Sequence, residues 1–169
     1  MYSRIFLIGF MGSGKTTLGK KLANQLDYRF EDMDDMIVRT SGMTIPGIFS
    51  EHGEELFRKW EIDILQEIIK KERLVIATGG GAPCHHDNLK VMNEHGLTVY
   101  LQLPPEAIRD RLLNSRTERP LVKGKSGEEL LQFIKELLDK REQFYLGSRL
   151  VVSGIETGAR ELAEIVRNF

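Results

Sequence analysis

The stretch Gly9-Phe10-Met11-Gly12-Ser13-Gly14-Lys15-Thr16 brings glycines, a lysine and a hydroxyl together directly behind the apolar run Ile5-Phe6-Leu7-Ile8. Its chemistry is the holding of a polyphosphate. Glycines at 9, 12 and 14 let successive backbone N–H groups turn inward toward phosphate oxygens. Lys15 adds a point charge for the outer phosphates, and the Thr16 hydroxyl is placed for Mg2+. Leu18, Leu22 and Leu26 recur every four residues behind the loop, so the spacing predicts a helix whose N-terminus faces the phosphates. A Gly-rich turn without ligand would not account for the Lys and Thr that follow the last glycine.

A second set of reactive groups is Asp32 and Asp34, two residues apart at the end of the strand predicted at Tyr28–Asp32. One suits the Mg2+ shell, directly or through water, and the other suits acceptance of a proton from an attacking hydroxyl. The competing reading is that either aspartate merely caps the following helix. A third set is Gly79-Gly80-Gly81, which follows the strand predicted at Arg73–Thr78.

Those groups need a scaffold. Beyond the first strand and helix, the pattern predicts a helix at 33–40 ended by Ser41-Gly42, and a short one capped by Thr44 that runs through Phe49. After Gly53 comes a longer helix, 54–71, carrying the stripe Leu56, Trp60, Ile64 and Ile68. A helix capped by Asp87, a strand at Leu97–Gln102 and a helix opened by Pro104-Pro105 come next. Residues 114–127 lose apolar periodicity and read as a lid. A helix at 128–145, a strand at 150–152 and a helix at 157–167 complete the chain. Apolar strands separated by helices imply a three-layer α/β/α architecture around a mainly parallel five-stranded sheet. The ligand crevice of such a sheet lies beyond the carboxyl ends of its strands, where all three reactive sets fall.

Composition limits the partners. The 169 residues suit one domain, and 41% hydrophobic with 29% charged is ordinary for a globular protein. A net charge of −1 gives no general attraction to nucleic acid or anionic membrane. One cysteine, Cys84, excludes an intrachain disulfide, and no stretch reaches the roughly 18 apolar residues of a membrane span. The apolar run after Met1–Arg4 is too short for a secretion signal. A monomeric, cytoplasmic protein that binds neither nucleic acid nor membrane is expected. Cys84-His85-His86 lacks a second cluster to complete a zinc site and reads as a surface turn.

The glycine loop, Asp32-x-Asp34, Gly53-Glu54-x-x-Phe57-Arg58-x-x-Glu61, Thr78-Gly79-Gly80-Gly81, Arg119-Pro120-Leu121 and Arg141-x-x-x-Tyr145 together resemble shikimate kinase, in order and over about the whole chain. The resemblance implies a P-loop NTPase-type fold and transfer of the ATP γ-phosphate to the 3-hydroxyl of shikimate, with Mg2+. ATP contacts would come from Gly12, Ser13, Gly14, Lys15, Thr16, Thr17 and Arg119. Metal would be held by Thr16 and Asp32, and the acceptor by Asp34, Arg58, Gly80 and Arg141. Lys15, Asp34 and Arg119 would be catalytic. The resemblance also implies an acceptor-binding segment at about 33–61.

Arginine forks match carboxylate geometry, which agrees with Arg58 and Arg141 as a clamp. Glu61 either holds the Arg58 guanidinium or makes a solvated helix pair. Phe49 and Phe57 are either core or acceptor-pocket wall. Arg111 and Arg116 are candidates for packing on adenine. After Tyr145 the chain departs from the family's common Ala-Asp, reading Leu146-Gly147-Ser148-Arg149. A kinase for another small hydroxy acid or for a nucleotide, or a nucleotide-binding regulator without catalysis, are the alternatives.

Overall fold

Short apolar segments rich in β-branched and aromatic residues become strands because a sheet covered on both faces buries every side chain they carry. The computed structural model describes residues 2–115 and 124–169. Its strands are β1 (Arg4–Ile8), β2 (Arg29–Asp32), β3 (Leu74–Ala77), β4 (Leu97–Gln102) and β5 (Leu150–Ser153). They lie in the order β2-β3-β1-β4-β5, and every pairing is parallel. The sheet is therefore wholly rather than mainly parallel.

The helices are α1 (Lys15–Leu26), α2 (Met33–Ser41), α3 (Ile45–Ile68), α4 (Asn88–His95), α5 (Pro105–Leu113), α6 (Gly127–Tyr145) and α7 (Ala159–Asn168). Strand residues alternate between two cores. Phe6, Ile8, Leu74, Ile76 and Tyr100 join side chains from α2 to α6, whereas Ile5, Leu7, Val75, Val99 and Leu101 join α1 and α7. Each fully buried aliphatic side chain contributes about 1.5–3 kcal/mol, which makes both layers necessary to the fold. No described helix is long and apolar enough to cross a membrane.

Helix termini follow local chemistry. Thr44 accepts a hydrogen bond from the Gly47 N–H at 3.2 Å, as a capping threonine should. The break expected at Gly53 is present as a non-helical residue, φ 79° and ψ 177°, inside an otherwise continuous α3. Asp87 behaves differently from its expected role, since its side chain makes no capping hydrogen bond to α4. Cys84 belongs to a single 3-10 turn, Ala82–Cys84, and is half-buried rather than on a surface turn.

The buried face of α3 keeps Ile64 and Ile68 of the expected stripe but departs from it in the preceding turns. Phe57, Arg58, Glu61, Ile64, Leu65 and Ile68 are buried, while Leu56 and Trp60 are only partly so. Two charged residues occupy the inner face, so a search for apolar periodicity slid the first half of the stripe by one position.

The chain after Tyr145 is held by polar contacts. The Arg149 N–H donates to Thr98 Oγ1 at 2.8 Å, and Asn93 Nδ2 donates to the Gly147 carbonyl at 3.0 Å. The departure from the family pattern is thus accommodated away from the crevice. Arg116 and Arg119 lie outside the described residues, as does most of the 114–127 stretch.

Candidate active site

The phosphate loop connects β1 to α1. Gly12 and Gly14 have φ of 76° and 93°, left-handed conformations that side chains disfavour. Gly14 is the N-cap of α1 and offers no side chain, so the first-turn N–H groups stay available to an anion. Lys15 is buried against its own loop. Its ammonium donates to the carbonyls of Gly9 and Phe10, both at 2.8 Å, and to Ser13 Oγ at 3.3 Å.

Arg111 has a task that sequence reasoning missed. It donates to the Ser13 carbonyl at 2.9 Å and to the Gly154 carbonyl at 3.0 Å. The guanidinium therefore ties the phosphate loop to the connection between β5 and α7. Contacts this distant in sequence leave no local signal.

The carboxylates at the end of β2 reconcile two readings that the sequence set against each other. Asp32 caps α2, its Oδ1 accepting from the Asp34 N–H at 3.1 Å, and its Oδ2 accepts from Thr16 Oγ1 at 2.8 Å. One side chain is both cap and neighbour of the loop hydroxyl. Thr16 and Asp32 thus present adjacent oxygens of the type that hard divalent cations favour, and the pair fits Mg2+. Thr17 is exposed on the first turn of α1.

Gly79, Gly80 and Gly81 form the centre of the arrangement, each beside a different functional side chain, and the approach is tight at Gly79 and Gly81. A β-carbon at Gly79 would stand 2.9 Å from Asp34 Oδ1 and 3.2 Å from Glu61 Oε1. At Gly81 it would stand 2.8 Å from both terminal nitrogens of Arg58. At Gly80 it would lie 3.4 Å from Arg141 Nη1 and 3.5 Å from the Met11 backbone nitrogen. The glycines thus gather Asp34, Arg58 and Arg141 beside the phosphate loop. Tyr145 donates its hydroxyl to the Gly80 carbonyl at 2.6 Å and fixes that peptide. Its spacing of four from Arg141 was a signal for this role.

Arg58 is held from two sides. Nε and Nη2 donate to Glu54 Oε1 at 3.2 and 3.0 Å, and Nη1 donates to Glu61 Oε2 at 2.7 Å. Of its five N–H groups, one on each terminal nitrogen is left over among the described contacts, a fork of the kind that matches a carboxylate. Glu54, one turn before Arg58, is a second positioning residue to which sequence reasoning gave no role. Glu61 is 1% exposed, so its pair with Arg58 is buried rather than solvated. Arg141 has no carboxylate within ion-pair distance among the described residues, and its guanidinium lies 5.9 Å from the Phe10 ring centroid. Phe57 is core, whereas Phe49, its ring centroid 4.7 Å away, stays 39% exposed.

Burial dominates the local proton affinities. It pushes the Glu61 carboxyl up to about 7, against the opposing pull of Arg58, and the nearby Asp34 charge adds to the rise. Burial likewise raises the Cys84 thiol to about 11, with Arg141 and Arg58 acting against it. A thiol so raised is not a nucleophile near neutrality. His85, 3.8 Å from Glu54, is lowered by burial and by Arg58.

Known proteins resemble this one along nearly the entire chain. A family model described as shikimate kinase matches residues 11–169. The shikimate kinase of Bacteroides fragilis is 42% identical, with 96% of each chain covered. That of Azobacteroides pseudotrichonymphae is 50% identical over 88% of each. Among solved structures, the shikimate kinase of Bacteroides thetaiotaomicron superposes with a TM-score of 0.94 at 39% identity, covering 98% of both chains. The Acinetobacter baumannii enzyme in complex with shikimate gives 0.87 at 36% identity, covering 99% of this chain and 92% of that one. A gluconokinase from Sinorhizobium meliloti, at 19% identity and 0.57, shares the fold alone. On its matched family model and its closely similar relatives, the chain belongs to the shikimate kinase family.

Proposed function

We propose that the protein transfers the γ-phosphate of ATP to the 3-hydroxyl of shikimate, giving shikimate 3-phosphate and ADP. The observation that carries this reading is the convergence of Asp34, Arg58 and Arg141 on three consecutive glycines beside the phosphate loop. That set suits an acceptor with a carboxylate at one end and a hydroxyl at the other.

The loop amides from Gly12 to Thr17 and the Lys15 ammonium bind the triphosphate. Arg58 and Arg141 hold the acceptor carboxylate, and the Gly80 N–H orients the ring where a side chain would obstruct it. Asp34 accepts the proton from the attacking hydroxyl. Mg2+, held by the Thr16 hydroxyl and by Asp32 directly or through water, supplies charge neutralisation at the phosphates when bound. Arg119, outside the described residues, carries the role of stabilising charge on the moving phosphoryl group, with the 114–127 stretch as the segment that delivers it. A nucleotide acceptor is disfavoured because it would leave two carboxylate-matching arginines without purpose.

Transfer of label from γ-labelled ATP to shikimate, in step with ADP release, tests the proposal. ADP release without labelled shikimate would reduce it to ATP hydrolysis.

A further inference from the structure

Glu61 carries more charge chemistry than holding Arg58 requires. Its Oε2 receives Arg58 Nη1, but its Oε1 is buried with no hydrogen-bond partner among the described residues. That oxygen and Asp34 Oδ1 both crowd the same side of Gly79. Around it stand Arg58 and Glu54 on α3, Asp34 on α2 and Arg141 on α6, with Cys84 and His85 in and after the 3-10 turn. Cys84 is neutral near pH 7, and the lowered His85 is largely so. Among the described residues, the guanidinium charges of Arg58 and Arg141 thus stand near the carboxylates of Asp34, Glu54 and Glu61 before any acceptor arrives.

We propose that acceptor binding is coupled to uptake of one proton on Glu61 Oε1, so that the acceptor carboxylate is held by Arg58 and Arg141 with Glu61 as a neutral acid. This rests on the reading of the acceptor as a hydroxy carboxylate. A further carboxylate entering beside Glu61 and Asp34 adds like charge and displaces water, and both effects favour protonation of the most buried carboxyl. Glu61 is that group, and its affinity for a proton already lies near neutrality. The proton comes from solvent and sits on the oxygen that lacks a partner. Oε2 remains able to accept from Arg58, so the guanidinium keeps its orientation. Glu61 is then a positioning residue whose charge state follows the occupancy of the site.

The test is calorimetric titration of the protein with shikimate, without nucleotide, in buffers of differing ionisation heat across about pH 6 to 9. Wild type should take up a substantial fraction of one proton above neutrality, and its affinity should weaken by up to about tenfold per pH unit there. Glu61→Gln, which imitates the neutral acid, should bind without proton uptake and hold its affinity in the alkaline range. His85→Asn should keep the uptake. Binding by wild type without proton uptake overturns the inference while leaving the proposed function intact, as does unchanged uptake in Glu61→Gln. If Glu61→Gln fails to fold, the wild-type proton count decides alone. Absence of shikimate binding at every pH overturns the proposed function itself, and this inference with it.

Discussion

Thr16 and Asp32 are joined by a 2.8 Å hydrogen bond from hydroxyl to carboxylate, which fastens the start of α1 to the end of β2. The same aspartate caps α2 through the Asp34 N–H. The proposed metal site and local folding therefore share one side chain. Asp32→Ala should lose about 1 kcal/mol of stability from the cap and raise the Mg2+ concentration needed for half-maximal turnover. Denaturant unfolding beside a Mg2+ titration reads both, and an unaltered Mg2+ requirement would remove Asp32 from the metal shell.

Asp34 has the sharpest chemical assignment. Asp34→Asn keeps the shape and removes the base, so turnover should fall by about two to four powers of ten with the fold retained. Nearly normal turnover would leave Asp34 an orienting role or none.

Arg58 and Arg141 are assigned to the acceptor rather than to the nucleotide. Replacing either with Ala should raise the acceptor KM by at least about tenfold, the scale of one lost charge-assisted pair, and change the ATP KM far less. Equal effects on both substrates would sink the clamp. Gly81→Ala makes the same point without touching the charge. Its β-carbon would fall 2.8 Å from both terminal nitrogens of Arg58, so acceptor capture should weaken while circular dichroism stays close to wild type.

The raised Glu61 carboxyl has a consequence for stability. An unfolded glutamate loses its proton near its ordinary 4.5, but the native one keeps it to about 7. The unfolded state therefore binds fewer protons between those values, and this group's contribution falls as pH rises through that window. It is fully present below the window and lost above it. Glu61→Gln should flatten that part of the stability profile, as read by urea unfolding at several pH values.

Legibility in the sequence followed locality. The phosphate loop could be read because its glycines, Lys15 and Thr16 are contiguous, and Asp32 and Asp34 because a strand end places them. Arg58 and Glu61 were found by resemblance and spacing, yet their burial was not, because charges on the inner face of α3 disguised that face as an apolar stripe beginning at Leu56. Arg111 contacts Ser13 and Gly154 across most of the chain, and no periodicity could reveal such a tether. The three glycines were legible as a group at a strand end in the crevice, but their placement beside Asp34, Arg58 and Arg141 was not. That placement exists only once α2, α3 and α6 are packed around them.

The central claim is the identity of the acceptor, and the most direct measurement is ADP production by purified protein with Mg-ATP and a panel of shikimate, quinate, gluconate and nucleoside monophosphates. Rapid ADP formation with shikimate, and little with the nucleotides, is the predicted result. Activity with a nucleotide alone, or tight ATP binding with no activity toward any acceptor, would contradict the account.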